Sequence, residues 1–204
     1  MSIDPPKFLS NVDPQLAEVI KSVGQYSIKI RNNAFQTLVE SIIYQQLAGT
    51  AAKVVYGRFI KYYDGAMPTP IQILSSSDTE LKSKVGLSNQ KIEYIKDLST
   101  RIKDGRLSLE MLRSMTDEEV INSLQQVKGI GRWTAEMFLI FYLGRQDILP
   151  VTDLGIRKAI QKLYSLSELP MPPTMLAISQ PWKPYRSIAT WYLWKSLSKF
   201  TSIG

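Results

Sequence analysis

The chain has 204 residues, a formal net charge of +7 at pH 7, and neither cysteine nor histidine. These absences exclude disulfides, thiolate zinc sites, cysteine-ligated iron–sulfur clusters and cysteine nucleophiles, so acid–base chemistry is left to Asp, Glu, Lys or Tyr. The positive charge indicates nucleic acid as the first class of partner and an anionic membrane surface as the second. The longest apolar run, 137–143, is too short to span a membrane. The first residues do not resemble a secretory signal, so an intracellular protein is expected, either in a nucleus or in a bacterial-type cytosol.

Helical patterns follow one another along the chain, whereas no strand, fixed-period repeat or low-complexity segment is evident. Asp13-Pro14, for example, has the form of an N-cap followed by a first-turn proline, and Thr50 is expected to cap a later helix. The segment 168–173 is rich in proline and is expected to be irregular. The predicted fold is all-α, a two-lobed bundle of about ten helices with a cleft, one lobe being closed by both chain ends. The helices are predicted at 14–24, from 33 to about 45, after Thr50, from a capping box at Ser77 to Gly86, from Ser88 to 104, near 109–114, at 117–124, 132–143, 154–164 and from about 184 to 200.

A glycine-rich turn connects two of these helices in Val127-Lys-Gly-Ile-Gly-Arg-Trp-Thr-Ala135. Thr116 and Glu119 form a capping box that fixes the start of the incoming helix. The turn should expose backbone N–H groups at the start of the outgoing helix, where the partial positive charge binds anions such as phosphate. For these residues alone, a plain tight turn is the alternative interpretation.

Asp153 is the first candidate for chemistry, because it lies where a loop becomes a helix, twenty residues after Trp133. A fixed carboxylate at such a place can stabilise a cationic transition state, or orient and deprotonate a water molecule. The alternative is an ordinary helix cap, for which Asp is a preferred residue.

Two further features suggest contacts with a nucleobase and a duplex. Aromatic residues gather at the end of the chain, and an aromatic-walled pocket suits a flat, cationic heterocycle, although core packing is the alternative. The bend Gln45-Gln-Leu-Ala-Gly49 presents side chains that could fill the gap left by a displaced base, unless it is only a helix end. The aromatic residues at the end of the chain are Trp182, Tyr185, Trp191, Tyr192 and Trp194, and Trp133 stands apart from them, directly after the hairpin.

Taken together, these features resemble the HhH-GPD superfamily of DNA glycosylases, in its 3-methyladenine (alkylbase) branch. The resemblance extends from about residue 33 to residue 195 and preserves the order and spacing of four motifs. The motifs are the bend at Gln46-Leu47, the helix-hairpin-helix segment Leu124–Ala135, the segment Leu149-Pro-Val-Thr-Asp-Leu-Gly-Ile-Arg157 and the C-terminal signature Trp182-Lys-Pro-Tyr-Arg-Ser-Ile-Ala-Thr-Trp-Tyr-Leu-Trp194.

The resemblance implies a single HhH-GPD domain over residues 1–204, with its hairpin at about 117–143. Such an enzyme flips alkylated purines, including 3-methyladenine and 7-methylguanine, from duplex DNA and hydrolyses the N-glycosidic bond to start base excision repair. The implied partner is double-stranded DNA with alkylated bases; no membrane is involved, and a monomer is expected.

Roles for individual residues also follow from the resemblance. Asp153 would be the catalytic carboxylate, and no cofactor would be needed for catalysis. The base pocket would be lined by Trp133, Trp194 and Met137, and DNA would be contacted by Gln46, Leu47, Gly129, Gly131, Arg132 and Thr134, with backbone amides of the hairpin holding a phosphate. A structural Na⁺ or K⁺ would be bound by the carbonyls of Gln125, Val127 and Ile130.

The chain departs from the family pattern at informative positions. Bifunctional glycosylase–lyases of this superfamily have a lysine where Trp133 stands, so hydrolysis without a Schiff base is expected. Helix from residue 13 would leave no room for the N-terminal β-domain of the inducible bacterial enzyme. Met137 replaces that enzyme's pocket tyrosine, and this leaves the substrate range open.

Two other functions compete with this interpretation. A non-catalytic helix-hairpin-helix DNA-binding protein would explain the charge and the glycines, but not Asp153 and the tryptophans at the family spacing. A glycosylase for oxidised or deaminated bases is disfavoured by the absent lysine and by the C-terminal tryptophan signature.

Overall fold

The structure is a computed structural model that describes residues 4–200, and this part of the chain contains helices and loops but no strand. The all-α prediction is confirmed. Twelve α-helices lie within residues 4–200: α1 Pro5–Val12, α2 Pro14–Val23, α3 Ala34–Tyr44, α4 Gly49–Tyr62, α5 Pro70–Ser75, α6 Asp78–Glu80, α7 Asn89–Lys103, α8 Asp117–Gln125, α9 Arg132–Phe138, α10 Leu154–Leu163, α11 Pro172–Ile178 and α12 Arg186–Phe200. Leu81–Val85 and Leu139–Leu143 are π-helical turns, and Met111–Arg113 and Gln180–Trp182 are 3₁₀ turns.

The chain divides into two compact units, as the two-lobe prediction expects. The terminal unit combines the residues up to Ile30 with those from Leu139 onward, whereas the central unit is Arg31–Phe138. In the terminal unit, α12 packs against α1, α2 and α10, and its core buries Leu16, Ile160 and Leu193. In the central unit, α3 packs against α4, α7 and α9.

The boundaries of several helices differ from the predictions. Helix α1 was not predicted, although Asp4-Pro5 repeats the pattern of Asp13-Pro14. Helix α4 begins at Gly49 with Ala48 as its N-cap, so the predicted Thr50 cap is wrong. Ser77 makes no capping bond with its side chain, and the predicted capping box is wrong there as well. The box forms instead between Thr69 and Gln72 at the start of α5. Helix α11 occupies part of the segment expected to be irregular, because two prolines are tolerated in a first helical turn.

Asp13 connects three parts of the terminal unit through one carboxylate. Its Oδ1 accepts a hydrogen bond from the backbone N–H of Leu16 at 2.9 Å and so caps α2. Its Oδ2 accepts from the hydroxyl of Tyr164 and, at 2.7 Å, from Nε1 of the fully buried Trp182. Burial and the neighbouring Asp13 raise the pKa of Tyr164, which therefore remains a donor. Trp182, a residue of the C-terminal signature, accordingly belongs to the core.

We expect Asp13→Ala to destabilise the protein strongly, because it removes a helix cap and leaves the buried Trp182 Nε1 and the half-buried Tyr164 hydroxyl without their acceptor. The loss should be about 3 kcal/mol in the free energy of unfolding. This corresponds to a fall of roughly 6–12 °C in the melting temperature, measured by calorimetry. Asp4→Ala is the matched control, since Asp4 also precedes a proline but makes no capping bond with its side chain. Equal effects of the two substitutions would contradict this role of Asp13.

Candidate functional site

In the terminal unit, Asp153 is the N-cap of α10, as the sequence predicts. Its Oδ1 accepts hydrogen bonds from the backbone N–H of Ile156 at 2.8 Å and from Nε1 of Trp194 at 3.2 Å. The side chain is half-buried, and the start of the helix adds partial positive charge beside the carboxylate. The carboxylate is thus fixed in orientation by two donors and is not simply an exposed cap.

Trp194 holds its ring between this carboxylate and a second aromatic residue. Its ring stacks on that of Phe141, with 5.9 Å between centroids and an interplanar angle of 21°. Phe141 lies in the π-helical turn after α9 and was not singled out from the sequence, because the run 137–143 reads only as buried helix. Trp191, by contrast, is 8% exposed and packs edge-on against Tyr26. Core packing is therefore its role in this structure.

Because Gly155 has no side chain, Asp153 and Trp194 can pack closely against it. A Cβ atom on Gly155 would lie 3.0 Å from Oδ1 of Asp153 and 3.6 Å from Cδ1 of Trp194. The glycine therefore allows the carboxylate to lie close over the first turn of α10. The sequence shows a glycine two residues after Asp153, but the reason for it becomes clear only in the structure.

We expect Gly155→Ala to lower the rate of the chemical step without lowering stability. Alanine favours helix formation, whereas its Cβ would displace the carboxylate by a few tenths of an ångström. A fall of about tenfold in the single-turnover rate is expected, since small misplacements of catalytic groups are costly. Gly57→Ala is the control, because Gly57 is also helical and a Cβ there meets nothing within 4 Å. The expectation fails if both variants keep the wild-type rate.

The loop that leads to Asp153 is anchored to the start of α12. Asp147 accepts two hydrogen bonds from the guanidinium of Arg186, at 2.6 Å from Nε and 2.9 Å from Nη2. The hydroxyl of Ser187 donates to the carbonyl of Arg145 at 2.7 Å and accepts from the N–H of Ile148 at 2.9 Å. Arg186 and Ser187 thus position the approach to Asp153, and sequence reasoning missed both.

In the central unit, α8 and α9 form the predicted helix-hairpin-helix. The capping box of Thr116 and Glu119 is present, which confirms the predicted start of α8. The guanidinium of Arg132 lies 3.1 Å from a carboxylate oxygen of Glu136 and donates to both oxygens of Glu118. These hydrogen bonds raise the pKa of Arg132 and hold the two helices together. Arg132 therefore stabilises the hairpin.

The turn of the hairpin presents backbone N–H groups as predicted. Within residues 4–200, the amides of Gly129, Gly131 and Thr134 donate to no backbone or side-chain acceptor. Gly129 has φ +80°, and a Cβ there would lie 2.0 Å from Cδ2 of Tyr94, so the tyrosine ring covers this glycine directly. Free amides next to the start of α9 form a suitable site for an oxygen anion.

The bend between α3 and α4 lies in the same unit as the hairpin. Gln46 has φ 56°, a left-handed conformation that only two other non-glycine residues of the described chain adopt. Such strain is typical of functional turns. Both Gln46 and Leu47 are exposed, Leu47 to 38%, although large apolar side chains are usually buried. We call Gln46 and Leu47 the wedge segment.

Trp133 and Met137 lie on α9, one turn apart, with Trp133 45% exposed and Met137 half-buried. The structure thus brings Asp153 together with Trp194 in the terminal unit. The wedge segment, the hairpin turn, Trp133 and Met137 all belong to the central unit.

Comparison with known proteins places this geometry in a family. The family described as "HhH-GPD superfamily base excision DNA repair protein" matches residues 39–184. The chain belongs to the HhH-GPD superfamily. It is 35% identical over 194 residues to DNA-3-methyladenine glycosylase 1 of Schizosaccharomyces pombe, covering 92% of this chain and 84% of that protein.

Two solved structures of HhH-GPD type resemble the chain over nearly its whole length. A DNA-3-methyladenine glycosidase from Bacillus halodurans superposes with a TM-score of 0.88 at 36% identity, covering 98% of this chain and 92% of the other. The 3-methyladenine DNA glycosylase of S. pombe in complex with abasic DNA superposes with a TM-score of 0.84 at 33% identity, covering 94% and 95%. The fold described above is therefore that of known DNA glycosylases.

The turn of the HhH-GPD hairpin also contains a hollow lined by main chain and side chains of consecutive residues. Residues 125–131 line this hollow, in which the carbonyl of Val127 accepts from the N–H of Ile130 at 3.1 Å. No Asp or Glu lines this hollow, whereas divalent cations usually take carboxylate ligands. No group of three or more Asp or Glu residues is placed to hold a metal ion within the described chain. No helix in that part of the chain is long and apolar enough to cross a membrane.

Proposed function

We propose that this protein is a monofunctional DNA glycosylase that removes alkylated purines, such as 3-methyladenine and 7-methylguanine, from double-stranded DNA and so starts base excision repair. The observation that carries the proposal is the carboxylate of Asp153, held by a helix start and by Nε1 of Trp194. Asp13 is held by a similar pair of donors but is buried, whereas Asp153 is only half-buried, so its carboxylate remains accessible to a substrate.

The proposed reaction uses the charge of the damaged base. An N-alkylated purine is already cationic, so it takes the electron pair of the C1′–N bond and leaves as a neutral base without a protein acid. Asp153 stabilises the positive charge that develops on the sugar and orients the water whose oxygen bonds to C1′. The proton of that water passes to Asp153 or to solvent, and the product is an abasic site.

Base recognition is assigned to Trp194, Trp133 and Met137. A cationic purine is attracted to the face of an indole ring, and the stack of Trp194 on Phe141 keeps one such ring oriented. Selectivity comes partly from the weak pairing of a damaged base, which lowers the cost of flipping it out of the helix.

DNA is held by the central unit in this proposal. The amides of Gly129, Gly131 and Thr134 bind a phosphate without reading sequence, and the wedge segment fills the gap left by the flipped base. Arg132 contributes to DNA binding by joining α8 to α9 through Glu118 and so holding the turn in place. The carbonyls of Gln125, Val127 and Ile130 would hold a Na⁺ or K⁺, whose charge would strengthen phosphate binding.

The test of this proposal is a competition among duplexes that each carry one lesion. Release of 7-methylguanine and 3-methyladenine, with little action on undamaged DNA, is the expected result. Binding of every duplex without release of any base would support the non-catalytic alternative instead. Preference for an oxidised base would assign the enzyme to another branch of the superfamily.

We expect no covalent adduct when the enzyme acts on damaged DNA in the presence of borohydride. Trp133 occupies the position of the lyase lysine, and an indole cannot form the Schiff base that borohydride would trap. Gel electrophoresis of the reaction, with a known bifunctional glycosylase as the positive control, provides the measurement. A band that migrates as the enzyme covalently joined to DNA would show that a lysine of this chain attacks C1′.

A further inference from the structure

We propose that Gln45, with the face of α7 that carries Lys91, Tyr94 and Asp97, is a positioning device that couples the wedge segment to the phosphate-binding turn. Insertion of the wedge segment into the duplex and binding of a phosphate by the hairpin turn would then occur together. The inference rests on the proposed function, because it assigns both segments to DNA.

Gln45 connects the two segments directly. It is the C-cap of α3 and precedes Gln46 in the chain, so its backbone sets where the wedge segment begins. Its Nε2 donates a hydrogen bond of 2.8 Å to the carbonyl of Gly129, a residue 84 positions away. Any shift of the wedge segment therefore acts on the peptide group that follows Gly129.

Helix α7 fixes the same two segments from one side. Lys91 Nζ donates to the carbonyl of Ile43, in the last turn before the bend, at 2.7 Å. Three residues on, the ring of Tyr94 covers Gly129, and its hydroxyl accepts from Nε2 of Gln90 at 2.6 Å. Three residues further, Asp97 accepts from the backbone N–H of Lys128 at 2.9 Å. Residues at this spacing share one face of a helix.

The contacts of Gln45 and α7 hold the bend and the hairpin turn at a fixed spacing. The ammonium of Lys91 donates to the Ile43 carbonyl at 2.7 Å, and its partial burial lowers the pKa of Lys91. Gln45, Gln46, Lys91 and Tyr94 line a hollow between the bend and the turn. A rigid spacing between two DNA contacts reduces the ordering required on binding, and this favours the bound geometry.

A double-mutant cycle on duplex affinity tests the coupling. The probes are a duplex with a tetrahydrofuran abasic analogue and the same duplex undamaged, and the variants are Gln45→Met, Leu47→Ala and both together. Gln45→Met keeps the length of the side chain but removes the donor. In the wild-type background, Leu47→Ala should weaken binding to the abasic duplex about tenfold, against about twofold in the Gln45→Met background.

Controls separate positioning from stability. Gln15→Met makes the same chemical change at an exposed site on α2 and should leave affinity and melting temperature unchanged. A purely structural loss at Gln45 would weaken binding to both duplexes equally, and this result would overturn the proposal, as would strict additivity in the cycle. If Gln45→Met fails to fold, Gln45→Leu, which also lacks the donor but has a shorter side chain, replaces it in the same cycle. Strict additivity of Gln45→Leu with Leu47→Ala would likewise overturn the proposal.

The cycle is independent of base excision. The wild-type protein could release bases while the cycle is additive, and then only the coupling fails. It could equally bind the abasic duplex with coupling and release no base, and then only the proposed activity fails.

Discussion

Asp153→Asn should lower the single-turnover rate of 7-methylguanine excision by about 10²- to 10³-fold, as expected for loss of a charged group that stabilises a transition state. The amide is of similar size and can still accept from Ile156 N–H and Trp194 Nε1, so the fold and the cap of α10 should persist. Affinity for duplex DNA should remain near that of the wild type or rise slightly, because a negative charge is removed. Single-turnover kinetics and fluorescence anisotropy measure the two quantities.

The control for this change is Asp104→Asn, which also removes one negative charge. Asp104 forms an exposed pair with Arg106 at 3.1 Å, at the end of α7. We expect its excision rate to equal that of the wild type. Near-full activity of Asp153→Asn, or equal loss in both variants, would remove Asp153 from the proposed reaction.

Among alanine substitutions of the hairpin glycines, Gly129→Ala should cause the largest loss of stability and of DNA affinity. A side chain at φ +80° costs about 1–2 kcal/mol, and displacement of the packed Tyr94 ring adds roughly 1–3 kcal/mol. We expect the unfolding free energy to fall by about 3 kcal/mol and duplex affinity to fall by more than tenfold, because the amides of the turn lose their arrangement. Chemical denaturation and titration of a labelled duplex measure these effects.

Three variants separate the causes. Gly105→Ala, at φ +73° with nothing within 4 Å, carries the backbone strain alone. Tyr94→Ala combined with Gly129→Ala should recover the part of the stability that the clash removes. Gly131→Ala, where a Cβ meets nothing within 4 Å, should fold normally but bind DNA less well, since its methyl group faces the proposed phosphate. A Gly129→Ala protein as stable as Gly105→Ala would contradict the role assigned to Tyr94.

Local signals in the sequence predicted the parts of the fold that depend on neighbouring residues. Asp13 caps α2, and Thr116 with Glu119 caps α8, because each bond joins residues three apart. The same reasoning missed α1, although Asp4-Pro5 resembles Asp13-Pro14. The two aspartates differ in the structure. Asp4 makes no capping bond with its side chain, whereas Asp13 caps α2 and is also held by Tyr164 and Trp182, which lie far along the chain.

The site was only partly predictable for the same reason. Asp153 and the hairpin turn were candidates from the residues themselves, and the resemblance gave them their roles, whereas the bond from Trp194 to Asp153 joins residues 41 apart and requires the fold. Phe141 was not singled out because it lies within an apolar run, and the role of Gly155 depends on the position of the Asp153 carboxylate, which only the structure provides. The sequence likewise contains no signal that Gln45 and Tyr94 meet Gly129, because those contacts depend on how α3 and α7 pack.

The most direct test of the account is chromatographic identification of the bases that the purified protein releases from methylated duplex DNA, compared with those released by Asp153→Asn. We predict free 3-methyladenine and 7-methylguanine with the wild type, intact strands before alkaline treatment, and almost no free base with the variant. Equal release by both proteins, or no release by the wild type, would contradict a glycosylase that acts through Asp153.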